Sequence, residues 1–301
     1  MTFVTAIYSH NINTIYGGRG RDISFFDSSL RNIANLNCPI VIYASHEDAP
    51  IIERRVSTYM KDFKVVPHHI SGFEFCEAAL EFKKRILKKI TLNDRNETLC
   101  FSKAYWVNDT IEKNYFPSDK YFWIDSGLTH HGIFPEKIGG VELLSVIPPA
   151  HYYPNNPNNI FNPKLSQNLS NSVLQDKLFF CSMPFQGDST PVHYIISEYC
   201  KQNVPPITNH LIGGLFGGNK EMFQQFFAIY RDVLKHFLTK DVHVLEEQIF
   251  SALYSAYPEL FELHKFYTWY FYSPGERCSV LDRDGDSFYK VFTRIHDLPV
   301  S

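Results

Sequence analysis

"YFWIDSGL", Tyr121 to Leu128, decides how this chain is read. Four apolar residues, Tyr121 to Ile124, run straight into one carboxylate, Asp125, and then into Ser126 and Gly127. A short aromatic and β-branched run ended by turn residues is the pattern of a strand buried on both faces, as in a parallel sheet. In such sheets ligands gather outside the carboxyl ends of the strands. A carboxylate there can bind a divalent cation carrying a diphosphate, or hydrogen-bond a ribose, and Gly127 lets a ligand approach the backbone. An Asx turn closing the strand accounts for the same residues.

The stretches before it set the class. Phe3–Tyr8 and Pro39–Tyr43 read as buried strands and Phe63–Val66 as a third, with helical spacing over Ile23–Ala34 and a Pro50-entered helix over Asp48–Tyr59 between them. Strand and helix in alternation give βαβ units, a mostly parallel sheet and right-handed crossovers. Further helices are expected over Phe73–Ile90, Cys100–Asn114, Pro191–Cys200 and Lys220–Leu238, and within "VHVLEEQIFSALYSAY" up to Pro258. Further strands are expected over Leu143–Ile147 and Leu178–Cys181, in the Gly-punctuated "HLIGGLFGG" and in the aromatic "KFYTWYFYS". The Asn- and Pro-rich stretch His151–Ser172 forms no regular element and reads as a lid over a site. No repeat or clean linker divides the 301 residues, so one domain is expected over 1–301.

Composition excludes several classes. A net charge of −3 does not suit a nucleic-acid binder. No stretch approaches the length of a membrane span, and the N-terminus lacks the pattern of a signal peptide. The basic "KKRILKKI" (83–90) allows at most peripheral contact with an anionic membrane, and reads as readily as a solvated helix end. A cytoplasmic protein is expected, at most at the inner face of the membrane. The six cysteines, at positions 38, 76, 100, 181, 200 and 278, form no CxxC pair and are expected as buried free thiols. The 26 Phe and 18 Tyr suit a large core.

Individual motifs are ambiguous. Tyr8 closes the first strand at the ligand edge, where it can stack on a base or simply fill the core. "YGGRGRD" offers Arg19 and Arg21 to a diphosphate, or is a solvated turn. "IGGLFGG" is neither GxGxxG nor a P-loop; its glycines make either a ligand platform or a tight strand-to-helix turn. His130-His131 are adjacent loop histidines, a weak metal signal, and no GxSxG elbow is present. Glu246 and Glu247 open a helix and point about 100° apart. Ile249, Phe250 and Leu253 put Glu246 on the apolar stripe, where a carboxylate must be paired or meet a ligand. Glu247 lies beside that stripe.

The order of these pieces is more telling. "FVTAIY", "PIVIYAS", "FSKAYWV", "KYFWIDSGL", "GGLFGGNKE" and "EEQIFSALYSAYPELF" together resemble the GT-A glycosyltransferases, most closely the bacterial HtrL/YibB-type glycosyltransferase family, over about Thr2–Phe261. The resemblance implies a GT-A-like single domain with a mostly parallel, Rossmann-like central sheet flanked by helices. Residues 1–128 would bind a nucleotide sugar, and residues 129–301 the acceptor. A UDP-sugar is favoured as donor over a GDP-sugar, and a glycan or glycolipid of lipopolysaccharide or capsule type is implied as acceptor. Tyr8, Arg19, Arg21, Lys103, Asp125, Ser126 and Gly127 would meet the donor, and Gly217, Gly218, Gln248 and His130 the acceptor. Glu247 first, then Glu246, with Asp125, would be catalytic. If the reaction inverts, Glu247 or Glu246 would be the general base; if it retains, the leaving diphosphate would take that role. Gly127 stands where a DxD motif needs its second Asp, so the resemblance leaves two routes: Mn2+ or Mg2+ held by Asp125 with His264, or Arg21 and Lys103 in place of a metal.

Two other readings share the layer. One is a non-catalytic glycan- or nucleotide-binding module. The other is a nucleotidyltransferase, whose Gly-rich basic loop would follow the first strand directly, whereas "YGGRGRD" lies several residues later.

Overall fold

The computed structural model describes residues 1–8, 23–87, 97–126, 137–138, 141–142, 166, 169–170, 176–185, 188–265, 272–273 and 276–277. The first half alternates as the sequence predicts: β1 (Thr2–Ile7), α1 (Ile23–Ala34), β2 (Ile40–Ala44), α2 (Ala49–Val56), β3 (Phe63–Pro67). Helices α3 (Cys76–Leu87) and α4 (Glu97–Lys113) then lead to β4 (Lys120–Ile124). The second half holds β5 (Leu178–Pro184), α5 (Thr190–Cys200), β6 (Asn209–Asn219), α6 (Lys220–Leu238), α7 (Glu246–Ala256) and β7 (Phe261–Lys265).

These strands form one seven-stranded sheet in the order β3-β2-β1-β4-β6-β5-β7. β1, β2, β3 and β4 pair in parallel, as do β5 and β7. β6 runs antiparallel to both β4 and β5. This is the mixed α/β fold the sequence predicts, a mostly parallel central sheet flanked by helices.

Both faces of the inner strands are buried, which is why β1, β2 and β4 read as continuous apolar runs. Alternate residues go to opposite layers. Val4, Tyr43, Trp123, Phe180 and Phe216 face α3–α7. Phe3, Ile42, Phe122, Ile124 and Phe179 face α1 and α2.

Several boundaries differ from the sequence reading. α3 starts at Cys76 rather than Phe73, because Ile70–Gly72 form a 3-10 turn whose carbonyls take up the Phe73 N–H. α2 is shorter, since residues 57–59 make a turn. The last sheet strand is Phe261–Lys265 and not the aromatic "KFYTWYFYS", of which Lys265, Tyr272 and Ser273 alone are described. "FELHK" alternates, and its Phe261 faces the core. Two short ribbons, 137–138 with 141–142 and 272–273 with 276–277, lie outside the sheet. The expected strand over 143–147, nearly all of the 151–172 stretch, and Cys278 fall outside the described residues. Of the five described cysteines, all free, only Cys76 and Cys181 are buried outright.

Candidate active site

β4 delivers Asp125 to the carboxyl end of the parallel half of the sheet, as the opening stretch predicts. Beyond the Ile124/Leu215 pair, the Asp125 N–H donates to the Gly214 carbonyl at 2.8 Å. Ser126 turns back over β1, its hydroxyl donating to the Ala6 carbonyl at 2.9 Å.

A bulge in β6 builds the rest. Phe180 pairs with Phe216 but Cys181 with Ile212, so residues 213–215 have no partner on β5. Bulges re-aim backbone next to functional sites. Here both polar groups of Gly213 point into the cluster. Its N–H donates to Glu247 Oε1 at 2.9 Å, and its carbonyl accepts from Lys103 Nζ at 3.1 Å. A Cβ at Gly213 would stand 2.8 Å from Glu246 Oε1 and 3.2 Å from Lys103 Nζ, so any other residue would push these two charged ends aside.

Lys103 comes from α4 and Glu246 from the first turn of α7. Their charged ends meet at 2.7 Å with side chains only 10% and 5% exposed. Lys103 Nζ also lies 3.5 Å from Asp125 Oδ2 and 6.0 Å above the Trp123 ring. Burial alone would depress the lysine's pKa, but the charges of Glu246 and then Asp125 outweigh it and hold it well above its usual value, a fixed ammonium. Cys100, nearby on α4, is likewise held well above its usual value, by burial first and then by the charge of Glu246, and stays a thiol.

Glu247 takes the other side. Its Oε2 lies 3.1 Å from His210 Nε2. Burial raises its pKa, but the His210 hydrogen bond and charge, Lys103 and the Gly213 N–H together bring it down to about 2. The cluster thus carries three carboxylates against one lysine, from the end of β4, α4 and α7, gathered around Gly213 and His210 of β6.

The remaining sequence candidates stand elsewhere or in other roles. Tyr8 is a core aromatic, 4% exposed, its ring stacked on Trp106 at 5.6 Å and its hydroxyl donating to the His68 carbonyl. Gly217 and Gly218 pair with Phe122 and Tyr121, toward the opposite end of β4 from Asp125. A Cβ at Gly217 would meet the Tyr121 carbonyl at 2.2 Å, and one at Gly218 would meet Leu178 at 2.9 Å, so the second glycine pair serves close strand packing. Gln248 caps α7, accepting from the Leu245 N–H at 2.9 Å. His264 lies on edge strand β7, 3.0 Å from Glu262, with β5 and β6 between it and β4. Arg19, Arg21, Gly127 and His130 lie outside the described residues.

Two residues of the cluster escaped the sequence reading, His210 and Gly213. The polar His210 opening an otherwise apolar strand was the available signal. Nothing distinguished the first Gly-Gly pair from the second.

No family model matches the sequence, and neither does any curated protein. Among solved structures the chain is similar to mouse xyloside xylosyltransferase 1 in its apo form, at 9% identity and TM-score 0.44, over 88% of this chain and 85% of that one. It is also similar to the inositol-1-phosphate CTP transferase of T. maritima (9%, TM-score 0.40, covering 100% and 98%). A third is the 4-diphosphocytidyl-2C-methyl-D-erythritol synthase of Anaerococcus prevotii DSM 20548 (10%, TM-score 0.38, covering 97% and 95%). At this distance the likenesses say nothing of this chain's chemistry.

Proposed function

We propose that this chain is a glycosyltransferase of the HtrL/YibB type, moving a sugar from a nucleoside-diphosphate sugar to a hydroxyl of a surface glycan of lipopolysaccharide or capsule type. The observation that carries the reading is the buried Lys103–Glu246 pair with Asp125 and Glu247 at the ligand edge of a β3-β2-β1-β4-β6-β5-β7 sheet.

The charge count assigns the work. Three carboxylates against one ammonium make a negative centre, which suits sugar hydroxyls and the oxocarbenium-like transition state, in which positive charge develops at the anomeric carbon. It does not suit the diphosphate, which falls to Arg19 and Arg21. In the transfer the anomeric carbon–phosphate oxygen bond breaks and its electron pair leaves with the diphosphate. The acceptor oxygen bonds to that carbon and its proton passes to the Glu247 or Glu246 carboxylate or to the leaving diphosphate. Asp125 and Glu246 hold and orient the sugar, with Lys103 fixing both carboxylates.

A resident divalent cation does not fit this centre. The ammonium of Lys103 already lies against both Asp125 and Glu246, residue 127 offers no carboxylate, and His264 is on a strand separated from β4 by two others. Among the described residues no three His, Cys, Asp or Glu side chains converge on a cation position. No step is therefore routed through a metal.

The test is a thermal-shift screen of UDP-, GDP-, CMP- and dTDP-sugars, with and without manganese, followed by transfer and hydrolysis assays on every hit. A donor that binds the native state raises its melting temperature. Stabilisation by a donor and release of its diphosphate support the reading. Stabilisation without turnover on any glycan acceptor makes the chain a binding module, and no stabilisation by any donor overturns it.

A further inference from the structure

We propose that the sugar held at Asp125 carries no carboxylate: the site takes a neutral ring, a hexose or an acylamino hexose, and rejects uronic acids. The inference rests on the transferase reading above and names the class of sugar that the same cluster accepts.

An ionised carboxylate only accepts hydrogen bonds, so one brought by a ligand needs donors or a cation to meet it. The side-chain donors of the cluster already have internal acceptors. An ammonium has three donor positions. Around Lys103 Nζ stand Glu246 Oε1 at 2.7 Å, the Gly213 carbonyl at 3.1 Å and Asp125 Oδ2 at 3.5 Å. His210 turns Nε2 to Glu247 Oε2 at 3.1 Å, and its Nδ1 is shielded from water. The Ser126 hydroxyl donates to the Ala6 carbonyl. The positive end of α7 is met by that helix's own Glu246 and Glu247.

Exposure sorts the charges in the same sense. The Lys103 and His210 side chains are 10% and 14% exposed, whereas Asp125 and Glu247 are 25% and 28% exposed. The cations are therefore the more enclosed members, and two carboxylates are the more open ones. Even with His210 protonated, three carboxylates stand against two cations. The centre offers a ligand acceptors and negative charge.

A neutral hexose fits that offer, since each of its hydroxyls can donate. A carboxylate has about four lone-pair sites, so Glu247 can accept from a sugar hydroxyl beside its contacts to Gly213 and His210. A uronic acid replaces the CH2OH group at C6 with a carboxylate. It loses one donor, adds a charge of the same sign as the centre, and finds both cations already engaged. An unpaired like charge is how a site turns away a ligand of nearly the same shape.

The experiment is calorimetry on donor pairs that share a nucleotide and differ at C6: UDP-glucose with UDP-glucuronate, GDP-mannose with GDP-mannuronate, and dTDP-glucose with dTDP-glucuronate. For the nucleotide that binds, the uronate should be weaker than its neutral partner by about tenfold or more. That is the order of effect of a like charge roughly 10 Å away at an effective dielectric of about 20. Asp125→Asn and Glu247→Gln should each shrink the ratio, because each removes a repelling charge and supplies an amide donor. A merely structural role for these carboxylates would leave the ratio where it was. A uronate bound as tightly as its neutral partner overturns the inference and leaves the transferase reading standing. So does a ratio unchanged in both variants, and so does a CMP-linked ulosonate, whose transferred ring carries a carboxylate, as the productive donor. A wild-type chain that binds no nucleotide sugar overturns the transferase reading and the inference with it.

Discussion

Lys103 and Glu246 stand 143 residues apart in sequence and meet at 2.7 Å, each side chain almost wholly buried. A buried pair of this kind contributes little net stability when intact but leaves an uncompensated charge when one partner goes. Lys103→Met strands Glu246, and with it Asp125, so it should cost about 3–5 kcal/mol. Urea denaturation checks this. Adding Glu246→Gln to Lys103→Met should recover some of the loss, because the second change removes the stranded charge. A Lys103→Met chain as stable as wild type would mean that water reaches the pair.

Gly213 and Gly217 separate the two roles of the double-glycine strand. Gly213→Ala forces its Cβ against Glu246 Oε1 at 2.8 Å and Lys103 Nζ at 3.2 Å, both side-chain ends that can move. It should fold, lose about 1–3 kcal/mol as overpacked sites do, and lose turnover out of proportion. Gly217→Ala meets backbone, the Tyr121 carbonyl at 2.2 Å and the Phe122 Cα at 2.6 Å, which cannot move. It should unfold or fail to accumulate as soluble protein. Circular dichroism melts beside the transfer assay distinguish the two; equal behaviour would contradict the division.

The regions of this molecule that local pattern controls were legible. Alternating apolar runs and helical spacing placed β1 to β3 with α1 and α2 because a sheet covered on both faces writes itself as uninterrupted Val, Ile, Phe and Tyr. The place of Asp125 at the carboxyl end of β4 was legible because an apolar run closed by Asp, Ser and Gly marks where a buried strand stops. The burial of Glu246 followed from its place on the stripe of Ile249, Phe250 and Leu253, although its partner did not. Lys103, Glu246 and Gly213 meet through the packing of α4 and α7 on β6, and no periodicity reports which helix crosses which strand. The bulge at 213–215 is likewise set by the mismatch of β5 and β6, so the sequence could not say which glycine pair faces the site. Tyr8 misled for a related reason: a strand-end aromatic looks the same whether it meets a ligand or, as here, Trp106.

Glu247 should make the fold acid-sensitive in a defined window. Its carboxyl titrates at about 2 in the folded chain against an ordinary 4.5, so its folded pKa is depressed. The stabilisation is therefore fully present above about 4.5 and lost as pH falls through that interval toward 2. Glu247→Gln should be less stable than wild type at pH 7, and the gap should close at the acid end. Denaturation midpoints for both proteins across that range are the measurement. A gap that stays constant with pH would show that the carboxylate's charge is not what Gly213 and His210 hold.

Asp125→Asn and chelation together test the charge assignment at the centre of the site. The amide keeps the shape of the side chain, and the backbone bond from residue 125 to the Gly214 carbonyl does not depend on the carboxylate. The melting temperature should therefore hold. What goes is one of the three negative charges set against developing positive charge, and loss of one preorganised electrostatic group costs about 10²–10³ in kcat. Excess EDTA, by contrast, should leave wild-type turnover unchanged, because the ammonium of Lys103 fills the place between Asp125 and Glu246 that a cation would need. Were a metal bound through Asp125 instead, both treatments would abolish turnover, and manganese would restore activity to the chelated enzyme. Turnover lost to EDTA and recovered with manganese would thus overturn the metal-free site, while an Asp125→Asn chain with normal turnover would reduce Asp125 to the end of a strand.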